Sequence, residues 1–105
     1  MRSQHPPRNG EIRRVVKDAI LKGDYRFSAH THERMHERGI IERYILDVLE
    51  KGRREPAKDV YDERFSRWKY SWRGRNKDGR DLRIIVAEIS PGILIITAIG
   101  MEDED

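Results

Sequence analysis

Three side chains set four residues apart, His30, Arg34 and Arg38, are the first candidates for chemistry in this chain. Helical residues four apart stand above one another on one face, so a helix here aligns one imidazole with two guanidinium groups. Imidazole titrates near neutrality and can take or give a proton; guanidinium stays charged and grips a phosphate through two parallel hydrogen bonds. Metal-free RNA cleavage needs such groups: a base for the 2′-hydroxyl proton, a cation for the charge on the phosphorane, and an acid for the leaving 5′-oxygen. Lysine and tyrosine can share these roles, so Lys69 and Tyr70 join His30 and Arg34 as catalytic candidates. Arg38, Arg67, Arg73, Arg75, Arg80 and Arg83 are the candidate RNA-binding cations. A structural reading stands beside this one, with His30 orienting its helix and Arg34 paired to Glu37 or Asp47.

The same stretch spells a rival. His32, Glu33 and His36 match the H-E-x-x-H pattern of zinc hydrolases. A zinc site needs three or four ligands; the chain has no cysteine and no His beyond His36. Glu42 is a carboxylate that could complete such a set, but the helix is charged all round. The expectation is therefore no metal and no cofactor, with a metal hydrolase as the lesser alternative.

The elements that must position these groups follow from periodicity. Ser28 is a helix-capping residue type and Gly39 a helix-ending one, which bounds a short, partly exposed helix anchored by Ala29, Met35 and Ile40. Before it, Ile12, Val15, Val16, Ala19 and Ile20 form an amphipathic stripe closed by Gly23, and Tyr25–Phe27 reads as a short extended piece. After it, Ile41, Tyr44, Ile45, Val48 and Leu49 repeat the stripe up to Gly52. The second half is strand. Residues 54–61, broken by Pro56, suit an edge. Residues 65–73 alternate, with Trp68, Tyr70 and Trp72 facing one way and Arg67, Lys69, Ser71 and Arg73 the other. Exposed, the aromatic trio would be a base-stacking platform; burial against the helices gains more, which leaves the basic face open. Asn76–Gly79 is a hairpin signal, and residues 82–89 and 93–99 are apolar central strands joined by a type II turn at Ser90-Pro91-Gly92. The expected fold is α+β, with helices on one face of a three- to four-stranded antiparallel sheet.

At 105 residues this is one domain, expected as a disordered leader (1–8), a single α+β body (9–100) and an acidic tail (101–105). The absence of cysteine suits a reducing compartment. No apolar run approaches the roughly 18 residues of a membrane span, and the opening residues lack the apolar core of a signal peptide. A soluble cytoplasmic protein is expected. Net charge is +3, and the last four residues are all acidic, which leaves +7 on the first 100. A basic body suits a polyanion partner.

His30-Thr-His-Glu-Arg34-Met35-His-Glu-Arg38-Gly39-Ile40 resembles the H-A-x-E-R-M-x-x-R-G-I opening of a small bacterial family known as domain of unknown function 4258, with Thr31 in place of alanine. Asp78-Gly79 and the closing Leu94-Ile-Ile-Thr97 are similar to that family's hairpin and last strand, so the resemblance spans about residues 25–99. Its pattern marks His30, Arg34 and Arg38, not His32 or His36. The family is placed near the RelE and MqsR toxins of toxin–antitoxin pairs. That resemblance implies a metal-independent endoribonuclease acting on mRNA, free or on the ribosome, and restrained by a separate antitoxin. A non-catalytic RNA- or protein-binding module is the alternative.

Overall fold

The computed structural model describes residues 9–101, so the leader and most of the acidic tail lie outside it. Three helices and six strands follow in the order α1 (Asn9–Lys22), β1 (Tyr25–Phe27), α2 (Ala29–Arg38), α3 (Glu42–Lys51), β2 (Arg53–Arg54), β3 (Val60–Asp62), β4 (Arg67–Arg75), β5 (Asp81–Glu88) and β6 (Ile93–Gly100). The fold is α+β. The strand count exceeds the expected three or four because the Pro56-interrupted edge splits in two. A single 3-10 turn, Pro56–Lys58, separates β2 from β3, and both pair with the outer edge of β4.

The sheet runs β1-β6-β5-β4-β2. Its one parallel pair, β1 with β6, departs from the all-antiparallel expectation. The long apolar strands β5 and β6 occupy the middle, where both edges are hydrogen-bonded. On one face Trp72, Ile84, Val86, Ile93 and Ile95 meet Ile12 and Val16 of α1 and Ile45 and Val48 of α3 in a single core, every one of them buried. The apolar stripe of α3 therefore lies against β4 and β5, and that of α1 against α3 and β6, on the side of the sheet that carries Trp72. The connection from β5 to β6 differs from the type II turn: the Ser90–Pro91 peptide is cis, and Ile89 N–H donates to the Gly92 carbonyl.

Helix α2 starts where β1 stops. Ser28 caps it, its hydroxyl accepting from Thr31 N–H, and Gly39 closes it at φ 64°. The buried anchor is Thr31, not Ala29, which is exposed. A β-bulge in β6 explains the substitution of roles. Ile85 pairs with Thr97 and Val86 with Ile95, so Ile96 is an extra residue. Ser28 N–H and the Thr31 hydroxyl donate to the Ile95 carbonyl, and the Ser28 hydroxyl donates to that of Ile96. An alanine methyl could not bond a bulged carbonyl; a threonine hydroxyl does.

Candidate nucleic-acid interface

Arg54 at the sheet edge is almost wholly buried. Its guanidinium lies 4.9 Å from the Trp72 ring centre and 5.5 Å from that of Tyr70. It donates to the Asp59 carboxylate and to the Ser71 carbonyl, while Asp59 also accepts from Ser71 N–H at 2.9 Å. The side chains of this pair are only 2% and 4% exposed. With Glu55 N–H bonded to the Ser71 carbonyl, the pair fastens the connection between β2 and β3 onto β4.

That fastening sets Glu55 on the face opposite the helices. Glu55 accepts a bidentate pair from Arg83, at 2.8 and 3.1 Å, and the Ser71 hydroxyl at 2.9 Å. Beside it, Arg73 donates to Asp81 at 3.2 and 3.0 Å. Register puts Arg53 opposite Arg73, and Arg73 opposite Arg83, so three guanidinium groups from β2, β4 and β5 stand in one row. Directly opposed like charges repel, and the two interleaved carboxylates hold the row together. The hydrogen bond from Arg83 holds the Glu55 carboxyl below the usual carboxylate range, and Arg73 does the same for Asp81. Both are ionised at neutral pH. With exposed Arg75 beside Asp81, four cations face two anions, and half-buried Ile85, Thr97 and Ile99 floor the same face. Such a surface can hold a phosphodiester, offer it fixed charge and accept a proton from a nearby hydroxyl.

The other sequence candidates are dispersed. Lys69 is half-buried on this same face, two residues along β4 from Ser71. Tyr70 points the other way, is 4% exposed, and has its phenol pushed up to about 12 by burial, which marks it as core. Arg80 donates to the carbonyls of Arg38 and Gly39 and so closes α2. Arg67 stacks 4.7 Å over the Phe65 ring at the far end of β4. His30 and Arg38 are exposed and Arg34 half-buried on α2, which packs against β6 and β1. Two strand spacings, roughly 10 Å, separate β6 from the β4 strand that carries Lys69 and Arg73. The structure therefore does not gather His30, Arg34, Lys69 and Tyr70 into one centre. His32 packs edge-on to Phe27 with ring centres 5.6 Å apart, and no group of three His, Asp or Glu fit for a metal occurs among the described residues.

Sequence reasoning missed Glu55, Asp81 and Arg53. Glu55 sits 28 residues from Arg83. The available signal was the charge alternation Arg73–Arg75 facing Asp81–Arg83 across the Asn76–Gly79 hairpin, which dictates that those charges share a face.

Helices on one side of a mixed sheet and an arginine row on the other define a small α+β domain with an open cationic face. The chain belongs to the family described as domain of unknown function (DUF4258), which it matches over residues 27–99, from the end of β1 to the end of β6. Helix α1 lies outside the matched region. Comparison with curated proteins and with solved structures gave no match. No helix among the described residues is long and apolar enough to cross a membrane.

Proposed function

We propose that the protein is a toxin-type endoribonuclease that cleaves mRNA without a metal on its helix-free face, in the cytoplasm, where a cognate antitoxin covers that face. The row of Arg53, Arg73 and Arg83, with Glu55 bonded between Arg83 and Ser71, is the observation that carries this reading. The scissile phosphate lies over Arg73 and Arg83, whose fixed guanidinium groups neutralise the charge growing on the phosphorane. Glu55, ionised and at the rim of the row, takes the proton of the 2′-hydroxyl, and the 5′-oxygen draws its proton from water at this open face. Lys69, and at the β1 edge His30, Arg34 and Arg38, hold neighbouring phosphates of the same strand.

The test is cleavage of an end-labelled single-stranded RNA in EDTA. Wild-type protein yields fragments ending in 2′,3′-cyclic phosphate, and Glu55→Gln and Arg83→Lys each slow cleavage by about a hundredfold or more with the circular dichroism spectrum at the assay temperature unchanged. Absence of cleavage by the wild type, or full activity in Glu55→Gln, Arg73→Lys and Arg83→Lys alike, overturns it. One observation favours a second reading, a non-catalytic binding module: Arg73 and Arg83 already have carboxylate partners. That reading predicts salt-dependent RNA binding with no fragments.

A further inference from the structure

At the end of the sheet away from the β4–β5 hairpin, the connection between β3 and β4 carries an exposed aromatic ring. Asp62 ties this tip, its carboxylate accepting from Arg64 N–H and Phe65 N–H, and Ser66 takes a left-handed conformation at φ 51°. Phe65 is 56% exposed, with the guanidinium groups of Arg64 and Arg67 lying 5.5 and 4.7 Å from its ring centre. An exposed ring with two cations beside it suits stacking of an unpaired base on a polyanionic strand. Next to it lies a cavity of about 420 Å³ lined by Arg67, Trp68, Tyr70, Glu88, Ile89 and Ser90. That is inside the range of roughly 300–1,000 Å³ typical of small-molecule sites.

The cavity has an indole wall, a guanidinium at its mouth and an exposed carboxylate. No side-chain hydrogen bond or ion pair engages the Glu88 carboxylate among the described residues. Guanine alone among the RNA bases presents two adjacent N–H donors, N1–H and N2–H, on one edge, matching a bidentate carboxylate. Its O6 and N7 acceptors suit an arginine. Adenine turns a lone pair at N1 toward the carboxylate, and uracil offers a single N–H between two carbonyls.

We propose that this cavity, with Phe65 at its rim, is a binding subsite for one unpaired guanine of single-stranded RNA, Glu88 reading the Watson–Crick edge and Trp68 walling the base. This deepens the ribonuclease reading, on which its cellular role rests. Trp68, Tyr70 and Glu88 lie on the helix side of the sheet and Lys69 and Arg73 on the other, so a strand that reaches both rounds the end of β4 at Arg67, which lines the cavity. Six residues of β4, about 20 Å at roughly 3.4 Å each, separate Arg67 from Arg73, which sets a bound guanine several nucleotides from the phosphate at Arg73 and fixes the register of the strand.

The test uses uncleavable 2′-O-methyl hexamers, hexa-adenylate and the same hexamer with one guanine, titrated against the full chain with tryptophan fluorescence as readout. The guanine hexamer binds about tenfold tighter or more, the low end for one bidentate base contact. Glu88→Gln abolishes that preference without changing the circular dichroism spectrum or the Tm. Phe65→Ala weakens both hexamers about equally. Equal affinity of the two hexamers for the wild type, or a preference that survives Glu88→Gln, overturns the subsite. The outcome does not depend on cleavage: RNA fragmentation without a guanine preference removes this subsite alone, and a guanine preference without fragmentation removes the catalytic reading alone.

Discussion

Replacing Arg54 by methionine removes a charge from the interior while leaving the shape. The methionine chain can lie on Trp72 and Tyr70 where the guanidinium lay, but Asp59, whose side chain is only 4% exposed, keeps its charge and retains only Ser71 N–H as a hydrogen-bond partner among the groups described. Breaking a buried ion pair from one side costs about 3–5 kcal/mol, most of it the penalty of the stranded charge. At about 4–8 °C per kcal/mol for a domain of this size, the Tm falls by at least ~12 °C. Replacing both partners, Arg54→Met with Asp59→Leu, removes the stranded charge and leaves one orphaned donor, Ser71 N–H, at about 1–3 kcal/mol. The double variant is then more stable than Arg54→Met alone, although it carries an extra substitution. Urea denaturation of the four members of the cycle at pH 7 measures this, with a constant m value as the check on two-state behaviour. A loss under about 1 kcal/mol for Arg54→Met, the value of an exposed pair, or a double variant worse than the sum of the singles, would refute the idea that a buried pair fastens the β2–β3 connection.

Acid should loosen the arginine row. Glu55 and Asp81 both titrate below their ordinary values in the folded chain, so their stabilisation is full above the unfolded value, 4.5 for Glu55, and drains as pH falls through the lowered folded values. Tm therefore drops between about pH 5 and 3, and Glu55→Gln flattens that slope; an unchanged slope would show that the carboxylate does not report on the row. Thr31→Val keeps the volume and deletes the hydroxyl on the Ile95 carbonyl, so thermal denaturation should show a loss of about 1–2 kcal/mol. Gly92→Ala places a methyl 1.7 Å from the Asp24 carbonyl oxygen at φ +88°, and should cost more than about 2 kcal/mol, visible as a lower urea midpoint.

What could be read ahead from the residues was whatever depends on near neighbours. Ile12, Val16 and Ala19 fall on the core because their spacing is helical, and Ser28 and Gly39 bound α2 because capping chemistry is local. Trp72 is buried and Arg73 is not because strands alternate. The misread features join distant segments. Arg80 looked like a cation open to RNA, yet the carbonyls it binds lie 41 and 42 residues earlier. Residues 54–61 read only as a weak edge, with nothing to mark Arg54 as buried, and only the fold of the 3-10 turn brings Asp59 over it. Ala29 was a reasonable anchor until the β6 bulge presented carbonyls that need a hydroxyl. Charge itself misled: a basic strand face read from alternation is, in space, interleaved with carboxylates from β5 and the β2–β3 connection.

The parallel pairing of β1 with β6 has a consequence for how the protein comes to exist. Ser28 must wait 68 residues for the carbonyl that its hydroxyl engages, that of Ile96, so during translation α2 leaves the ribosome with its seat unbuilt. Closure belongs to β6: a nascent chain halted before Ile95 has neither acceptor, leaves one edge of β5 unpaired, and is open to proteases until that strand is made.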